Sequence, residues 1–216
     1  MTEDLEVDPA DPGSLTAAVE AAARALEQGN LVVFPTETVY GIACRPDDAA
    51  ATARAFEAKR RPSGLNLPVL ANSAESAWEV ARPDRRARRL AEAFWPGPVT
   101  LILPRTERSR GWELGRRKES IAVRVPAHHL SSSILERAGP LATTSANLSG
   151  RPPLDRKEDL IAAFGEAVAV YIVLAAGATP PGGAPSTIVD LTEREMRMVR
   201  PGPVEIGRLT AEMGPI

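Results

Sequence analysis

Small hydroxyl side chains and cations recur in this sequence where short apolar runs give way to polar loops. The hydroxyls lie in three segments, which are TET at residues 36–38, TTS at 143–145 and ST at 186–187. The cations are Lys59, Arg61, Arg124 and Arg200. No matching set of acidic side chains accompanies them. Because guanidinium, ammonium and hydroxyl groups donate to carboxylate and phosphate oxygens, this pattern predicts a site for a small polyanionic ligand.

Each of these groups also has a purely structural interpretation. Residues 59–61 could be the last turn of a helix, where cations interact favourably with the helix dipole. Arg124, inside the apolar stretch IAVRV, could face solvent or pair with an acid. Residues 143–145 could be ordinary turn residues, and Ser186 could bond to the backbone of a glycine turn. The recurrence of the pattern, rather than any single member, favours a ligand site.

Other catalytic chemistries have little support in the sequence. His128 and His129 are adjacent, which is not a metal-ligand spacing, and we interpret them as surface residues. Cys44 is the single cysteine, so no disulfide can form within the chain, and a buried structural thiol is expected. The nucleophile pattern GxSxG and the phosphate-binding pattern GxxxxGK[ST] are both missing from the sequence.

The composition is typical of a globular domain. The chain has 216 residues, of which 44% are hydrophobic and 25% charged, with a formal net charge of -2. That charge gives no global attraction to nucleic acid. No apolar run approaches the ~20 residues of a membrane helix, and the acidic start MTEDLEV is unlike a signal peptide. We therefore expect a cytoplasmic protein that does not enter a membrane.

One segment leaves nucleic-acid contact open. Residues 82–89 contain Arg82, Arg85, Arg86, Arg88 and Arg89. On a helix these side chains spread over more than one face. A solvated helix is the favoured interpretation, and contact with RNA is the alternative.

Hydrophobic periodicity and Gly or Pro punctuation define the elements that must position these side chains. Helices are predicted at residues 14–30 (capped by Ser14), 47–61, 83–95, 129–137 and 155–164. Strands are predicted at 31–35, 67–71, 99–104, 120–126, 167–177, 186–191 and 194–202, and residues 140–150 are predicted to be a strand that runs into a polar loop. Helices and strands alternate early and strands dominate later, which predicts an α/β (α+β) fold around a mixed sheet. We expect a loose N-terminal lead-in at 1–13, one domain at 14–205 and a C-terminal tail at 206–216.

Taken in order, the motifs resemble one known family. The blocks are PTETVYG, KRRP, WPGPVTLIL, AVRVP, TSANLSG, STIVD and VRPG. Together they resemble the YrdC-like family, over roughly residues 14–205, and the chain is similar to its short single-domain members. The resemblance implies a twisted mixed sheet flanked by helices, with a large basic concave pocket. It also implies synthesis of threonylcarbamoyl-AMP and pyrophosphate from L-threonine, bicarbonate and ATP, by a nucleotidyltransferase reaction that serves position 37 of tRNA.

The same resemblance implies roles for individual residues. Threonine would be bound by Thr36, Thr38, Arg124, Ser145 and Ser186, with Arg124 on the carboxylate. ATP would be bound by Lys59, Arg61, Ser120, Asn147 and Arg200. The residues nearest the reaction would be Lys59, Arg61, Ser145 and Asn147. No protein side chain would bind a metal, since Mg²⁺ would arrive with ATP. The implied partners are the tRNA threonylcarbamoyl-transferase machinery and, more weakly, tRNA or double-stranded RNA.

The sequence departs from the family pattern after KRRP. Many members have Asn-Pro-Leu and a nearby histidine there, whereas this chain has LNLPVLA, with Asn66 shifted and Leu70 at the histidine position. Two other functions stay open. One is a non-catalytic RNA-binding or ribosome-associated relative, which the arginines at 82–89 would suit. The other is carbamoyl transfer of the hydrogenase-maturation type, whose zinc finger this chain lacks the cysteines to form.

Overall fold

The computed structural model describes residues 2–62 and 64–213. Over these residues, the strands are β1 (Glu3–Val7), β2 (Val32–Pro35), β3 (Tyr40–Cys44), β4 (Val69–Leu70), β5 (Val99–Pro104), β6 (Ser120–Arg124), β7 (Leu141–Ser145), β8 (Val170–Leu174), β9 (Thr187–Asp190) and β10 (Arg197–Arg200). The helices are α1 (Pro12–Glu27), α2 (Ala49–Ala58), α3 (Ala74–Val80), α4 (Arg85–Phe94), α5 (Glu107–Arg110), α6 (His129–Ala138), α7 (Lys157–Phe164) and α8 (Ile206–Met213). A short 3-10 helix spans Gly165–Ala167.

The strands form one twisted mixed sheet. Within the described residues its order is β1-β8-β2-β3-β7-β4-β6-β5-β9-β10. The pairs β1–β8, β2–β8, β4–β6 and β5–β9 are parallel. The remaining neighbours are antiparallel. The predicted mixed sheet with flanking helices is therefore confirmed.

Strand β2 shows how the sheet is covered on both faces. Val32 and Phe34 pack in one apolar cluster with Leu26 of α1 and Ile134 of α6. Val33, which points to the opposite face, packs in a second cluster with residues of α2, α4 and α7. Successive side chains of a strand alternate between faces, so a strand that is apolar throughout needs helices on both sides.

Asp11, not Ser14, caps helix α1. Its carboxylate accepts hydrogen bonds from the backbone N–H of Gly13 at 3.0 Å and of Ser14 at 3.2 Å. Pro12 is the first helical residue, a position that suits proline because the N–H there has no partner within the helix. The predicted start at Ser14 is therefore wrong by two residues.

The predicted loose N-terminal lead-in is also wrong in its structure. Residues 3–7 form the edge strand β1, which pairs in parallel with β8 and buries Val7. Glu3, Asp4 and Glu6 lie on this strand, and charged residues are common on sheet edges because they oppose pairing with other chains.

The predicted C-terminal tail is a packed helix where the structure describes it. Helix α8 buries Leu209 and Met213 in the cluster shared with α4, and Arg89 Nη1 donates to the Met213 carbonyl at 2.8 Å. Residues 214–216 of the predicted tail lie outside the described residues.

Among residues 2–62 and 64–213, no helix combines the length and the apolar character needed to cross a bilayer.

Candidate functional site

A cavity of about 250 Å³ lies against one face of the sheet. Alternate residues of β6, namely Ser120, Ala122 and Arg124, all line it, as expected where one face of a strand borders a cavity. Eight of the ten predicted site residues belong to its lining. They are Thr36, Thr38, Arg61, Ser120, Arg124, Ser145, Ser186 and Arg200.

The lining of the cavity is cationic, as predicted. Within the described residues, the charged lining residues are all arginines: Arg61, Arg117, Arg124 and Arg200. The other polar lining groups are mainly threonine and serine hydroxyls. This is an environment for anionic ligands, because several positive charges converge there without an acidic lining residue.

Arg124 is fixed at the base of the cavity by a chain of hydrogen bonds. Its Nε donates to the Gly97 carbonyl at 3.0 Å, and its Nη2 donates to Thr38 Oγ1 at 2.9 Å. Thr38 Oγ1 lies 2.9 Å from Thr36 Oγ1, which in turn donates to the Val39 carbonyl at 2.6 Å. Since the Thr36 proton is used there, the Thr38 hydroxyl donates to Thr36.

Glu37 also contacts the Arg124 guanidinium, with its Oε1 2.7 Å from Nη2. Burial lowers the pKa of Arg124, and the Glu37 carboxylate opposes that effect. Nη1 of Arg124 has no hydrogen-bond partner among the described residues. It is therefore the edge of the guanidinium that remains available to a ligand.

Strands β9 and β10 bring Ser186 and Arg200 together. Arg200 donates from Nε and Nη2 to the Ser186 carbonyl, at 3.0 and 2.8 Å, and from Nη2 to Ser186 Oγ at 3.1 Å. Ser186 Oγ also lies 2.8 Å from Thr100 Oγ1 of β5. The pKa of Arg200 is lowered by burial and further by the nearby charges of Arg124 and Arg61, so these three guanidiniums share one space.

Gly202 permits this arrangement. A Cβ atom at this position would lie 2.4 Å from the Thr187 nitrogen and 2.6 Å from the Pro185 carbonyl oxygen. The turn after Arg200 therefore packs backbone against backbone beside Ser186, which only glycine allows.

The end of helix α2 directs alternate side chains inward. The helix ends at Ala58 rather than at the predicted residue 61, because Arg60 adopts a left-handed conformation with φ 49°. Arg60 N bonds to the Glu57 carbonyl and Arg61 N to the Phe56 carbonyl, which together form a Schellman cap. Arg60 thus points to solvent, while Lys59 and Arg61 point into the protein.

Lys59 is buried, with 1% exposure, and does not line the cavity. Its Nζ donates to the carbonyls of Ser145 and Asn147 and lies 3.5 Å from Asn147 Oδ1. Its own carbonyl accepts from Ser149 N at 3.0 Å. Burial lowers the pKa of Lys59 to about 7. Lys59 therefore fixes the loop that carries Ser145.

Asn147 completes the support of this loop. Its Oδ1 accepts a hydrogen bond from Ser145 Oγ. Its Nδ2 donates to the carbonyls of Leu148 at 2.9 Å and Arg151 at 2.6 Å. Ser145 is consequently the member of the S-x-N segment that reaches the cavity.

The segment that departs from the family pattern folds onto Arg61. Arg61 donates from Nε to the Leu65 carbonyl at 2.9 Å and from Nη2 to the Asn66 carbonyl at 3.0 Å. Asn66 pairs with the backbone of Arg117, donating from Nδ2 to its carbonyl and accepting from its N–H. Leu70 lines the cavity at the predicted histidine position. Ser63 lies outside the described residues.

Sequence reasoning missed several residues in or next to the cavity lining. Thr100, a polar residue at an inward position of the apolar strand β5, was visible as an exception in its pattern. Arg117 gave no comparable signal within the stretch GRRK, because its place in the site comes from the contact with Asn66. Glu37 belongs to the PTETVYG block, but nothing in the sequence indicates its contact with Arg124.

The arginines at 82–89 largely serve intramolecular contacts. Arg82 Nε donates to the Arg105 carbonyl at 2.9 Å. Arg86 Nη2 donates to the carbonyls of Leu191 and Glu193, at 3.0 and 2.9 Å.

Cys44 is buried, and burial raises the pKa of its thiol to about 12, which makes it an inert structural residue.

Similarity to known proteins extends over most of the chain. Residues 24–202 match the Sua5/YciO/YrdC family model, described as "Telomere recombination". A threonylcarbamoyl-AMP synthase of Chromohalobacter salexigens is 40% identical over 177 residues, which cover 81% of this chain and 92% of that protein.

Two solved structures share the fold. The crystal structure of Pyrococcus abyssi Sua5 complexed with L-threonine matches with a TM-score of 0.84 and 31% identity. The match covers 99% of this chain and 61% of that one, so this chain spans less than two thirds of that protein's length. The crystal structure of E. coli YciO matches with a TM-score of 0.84 and 25% identity, over 95% of this chain and 98% of that one.

Proposed function

The chain belongs to the Sua5/YciO/YrdC family, and on that premise we propose that it is an L-threonylcarbamoyladenylate synthase. The reaction converts L-threonine, bicarbonate and ATP into threonylcarbamoyl-AMP, pyrophosphate and water, and is formally a nucleotidyl transfer. The observation that carries the proposal is the cavity itself. Arg61, Arg124 and Arg200 converge in it beside threonine and serine hydroxyls, without an acidic lining residue in the described chain.

The Arg124 end of the cavity suits the amino acid. The free Nη1 edge of Arg124 can bind a carboxylate, and the neighbouring hydroxyls of Thr36, Thr38 and Ser186 can bind polar groups of the same ligand. Ser145 lines the cavity from strand β7, which pairs with β3 in the same sheet, and can also reach this ligand. We assign this end to L-threonine.

The Arg61 and Arg200 end suits the nucleotide phosphates. Both guanidiniums donate to main-chain carbonyls and line the cavity, so their positions are fixed before any ligand binds. Ser120 lines the same space. Lys59 and Asn147 act on ATP through the Ser145 loop that they hold, and the Lys59 ammonium adds positive charge close to the phosphates when it is protonated.

The chemistry needs positioning and charge more than a protein nucleophile. The threonine amine attacks carbon dioxide derived from bicarbonate to give a carbamate. A carbamate oxygen then attacks the α-phosphorus, and pyrophosphate leaves in line. A carboxylate, a carbamate and a triphosphate must therefore lie side by side, and fixed guanidiniums offset their mutual repulsion.

We further propose that Mg²⁺ enters bound to ATP. Among residues 2–62 and 64–213, no group of three or more His, Cys, Asp or Glu side chains is placed to hold a metal ion. The cavity lining offers hydroxyls and cations instead. Phosphate oxygens would thus supply the charged ligands, as is common for this ion.

The product defines the partner. Threonylcarbamoyl-AMP is a mixed anhydride of a carbamic acid and a phosphate, so a transferase must consume it before water does. We propose that this consumer is the machinery that modifies position 37 of tRNA, which would place the protein in the cytoplasm. We also propose that the protein binds tRNA or double-stranded RNA weakly. The proposed synthase activity does not depend on this binding.

A non-catalytic RNA-binding function is less well supported. In the segment that suggested it, Arg82, Arg86 and Arg89 are engaged with main-chain carbonyls of the protein. Arg85 and Arg88 are exposed, and Arg88 also lies 6.0 Å from the ring of Trp78. Arg82 is exposed as well, although its Nε is bonded to the Arg105 carbonyl, and three exposed arginines do not form the continuous basic surface that RNA binding requires.

The test is pyrophosphate release from Mg-ATP, measured with and without L-threonine and bicarbonate. Release by the wild-type protein should require both. Arg61→Ala should reduce kcat/KM for ATP by roughly 30- to 100-fold, because a charged donor is removed from the phosphates. Arg60→Ala is the matched control, since its side chain is exposed and outside the cavity, and should retain wild-type activity. Release that is independent of threonine would contradict the proposal.

A further inference from the structure

The Arg124 guanidinium lies where two cavities meet. The first is the cavity described above, and the second is lined by Glu37, His128 and the segment 174–181. Consecutive side chains of one loop separate the two, since Thr38 lines the first cavity, Glu37 lines the second and Thr36 borders both. Glu37 therefore approaches Arg124 from outside the proposed substrate cavity.

The Glu37 carboxylate is committed to this contact. Its two oxygens are buried and form no aligned hydrogen bond with any described residue, so the 2.7 Å ion pair with Arg124 is what stabilises the charge. The backbone is held as well. Gly182 N donates to the Glu37 carbonyl at 3.0 Å and Gly183 N to the Thr38 carbonyl at 2.8 Å.

Two of the other arginines that line the cavity lack an acidic partner among the described residues. Arg61 and Arg200 donate to main-chain carbonyls and form no ion pair with any described residue. Arg117, which is largely exposed, lies 3.8 Å from Asp190. Because the charges of Arg61 and Arg124 both act on Arg200, a polyanion entering the cavity would interact with all three guanidiniums.

We propose that Glu37 divides this cationic cavity into two subsites of different charge, and so determines which anion binds at which end. By pairing with Arg124 it cancels the net charge at that end, where the Nη1 edge of the guanidinium can still donate to one carboxylate. Arg61 and Arg200 keep their full charge and take the polyphosphate. The inference rests on the proposed function, because it assigns the two ends to threonine and ATP.

In this proposal Glu37 excludes polyphosphate from the Arg124 end as well as allowing a carboxylate to bind there. A polyphosphate gains more from an uncompensated guanidinium than a singly charged carboxylate does, so a bare Arg124 would favour pyrophosphate over the amino acid. Glu37 penalises multiply charged anions at that end by direct repulsion. It acts through Arg124 and the local field without contacting the reacting atoms.

The test is competition between inorganic pyrophosphate and L-threonine, measured by isothermal titration calorimetry. Wild-type protein should bind one pyrophosphate per chain, and saturating pyrophosphate should leave the threonine Kd nearly unchanged. In Glu37→Gln, pyrophosphate should also occupy the Arg124 end and raise the apparent threonine Kd roughly tenfold or more. Glu37→Asp retains the charge and should behave like the wild type. Glu136→Gln, an exposed acid on α6, is the surface control.

Two results would overturn the inference. One is a threonine Kd that responds to pyrophosphate equally in wild type and Glu37→Gln. The other is binding of two pyrophosphates by the wild type, which needs no variant and decides the matter if Glu37→Gln does not fold. These titrations require no turnover. Absence of threonine-dependent pyrophosphate release would remove the proposed function, while the pyrophosphate stoichiometry would still report on Glu37.

Discussion

The Lys59 ammonium donates to the main-chain carbonyl of Ser145, although the two residues are 86 positions apart in the chain. The same ammonium donates to the Asn147 carbonyl, and the Lys59 carbonyl accepts from Ser149 N. The K-x-R segment therefore supports the S-x-N segment, and Arg61 alone of the two K-x-R cations lines the cavity.

Replacing Lys59 by methionine should destabilise the fold as well as impair the site. The change keeps the apolar stem but leaves the Asn147 carbonyl without a donor in a buried place, and leaves the Ser145 carbonyl with the Asn147 N–H alone. The free energy of unfolding should fall by about 2–4 kcal/mol, and kcat should fall with it. Urea denaturation measures the first effect. Lys157→Met, which removes an exposed pair with Glu6, should cost less than about 1 kcal/mol; an equal loss in both variants would refute the assignment.

The burial of Lys59 should also make stability depend on pH. Its pKa is lowered from 10.5 to about 7 by burial, so the unfolded chain binds more protons at this position between those two pH values. The free energy of unfolding therefore rises with pH in that window, and below pH 7 the full cost of burying the charge is present. Burial raises the pKa of Cys44 to about 12, which gives the opposite trend above pH 9.

The measurement is thus the difference in unfolding free energy between wild type and Lys59→Met from pH 7 to 8.5. The unfolding free energy of the wild type should rise relative to that of Lys59→Met by at most about 1.4 kcal/mol per pH unit. A difference that stays constant over this range would show that Lys59 does not titrate there.

Gly202→Ala should disturb the Arg200 end of the cavity without replacing any side chain that lines it. The added methyl would lie 2.4 Å from the Thr187 nitrogen, so the turn must move and take Arg200 and Ser186 with it. We expect a loss of about 2–4 kcal/mol in stability and a raised KM for ATP. Gly111→Ala is the control, because a Cβ there meets nothing within 4 Å. It should change neither the stability nor the KM for ATP appreciably.

Lysine replacements should separate the two ends of the cavity. Arg124→Lys cannot reproduce the contacts to Gly97, Thr38 and Glu37 together with a free edge, so KM for threonine should rise about tenfold or more. KM for ATP should change little. Arg200→Lys should raise KM for ATP and change KM for threonine little. Steady-state kinetics with each substrate varied in turn decides the point, and identical effects of the two variants would contradict the assignment.

The residues that line the cavity were predictable because strand ends meet at one place in a sheet. Thr36, Arg124, Ser186 and Arg200 each adjoin an apolar strand in the sequence, and the fold brings them into one cavity. The interior position of Lys59 was not predictable. Three consecutive cations suggest an exposed turn, and only the left-handed conformation of Arg60 sends the residues on either side of it inward.

Two strands escaped prediction for different reasons. Tyr40–Cys44 directly follows the polar segment TET and carries no separate strand signal, and its pairing with β2 and β7 is set by tertiary structure. Glu3–Val7 is rich in acids, which suggested an unstructured start, but Leu5 and Val7 alternate with them on an edge strand. Strand pairing over long sequence distances overrides such local signals.

The most direct test of the account is to incubate the protein with ¹³C-bicarbonate, L-threonine and Mg-ATP and to analyse the nucleotides by mass spectrometry. The proposed synthase activity should yield a new adenylate with the mass of AMP joined to a threonylcarbamoyl group, carrying the ¹³C label. This product should form only when threonine is present and should be strongly reduced in Arg61→Ala. Folded protein that binds ATP and threonine but yields no labelled adenylate would contradict the proposed activity.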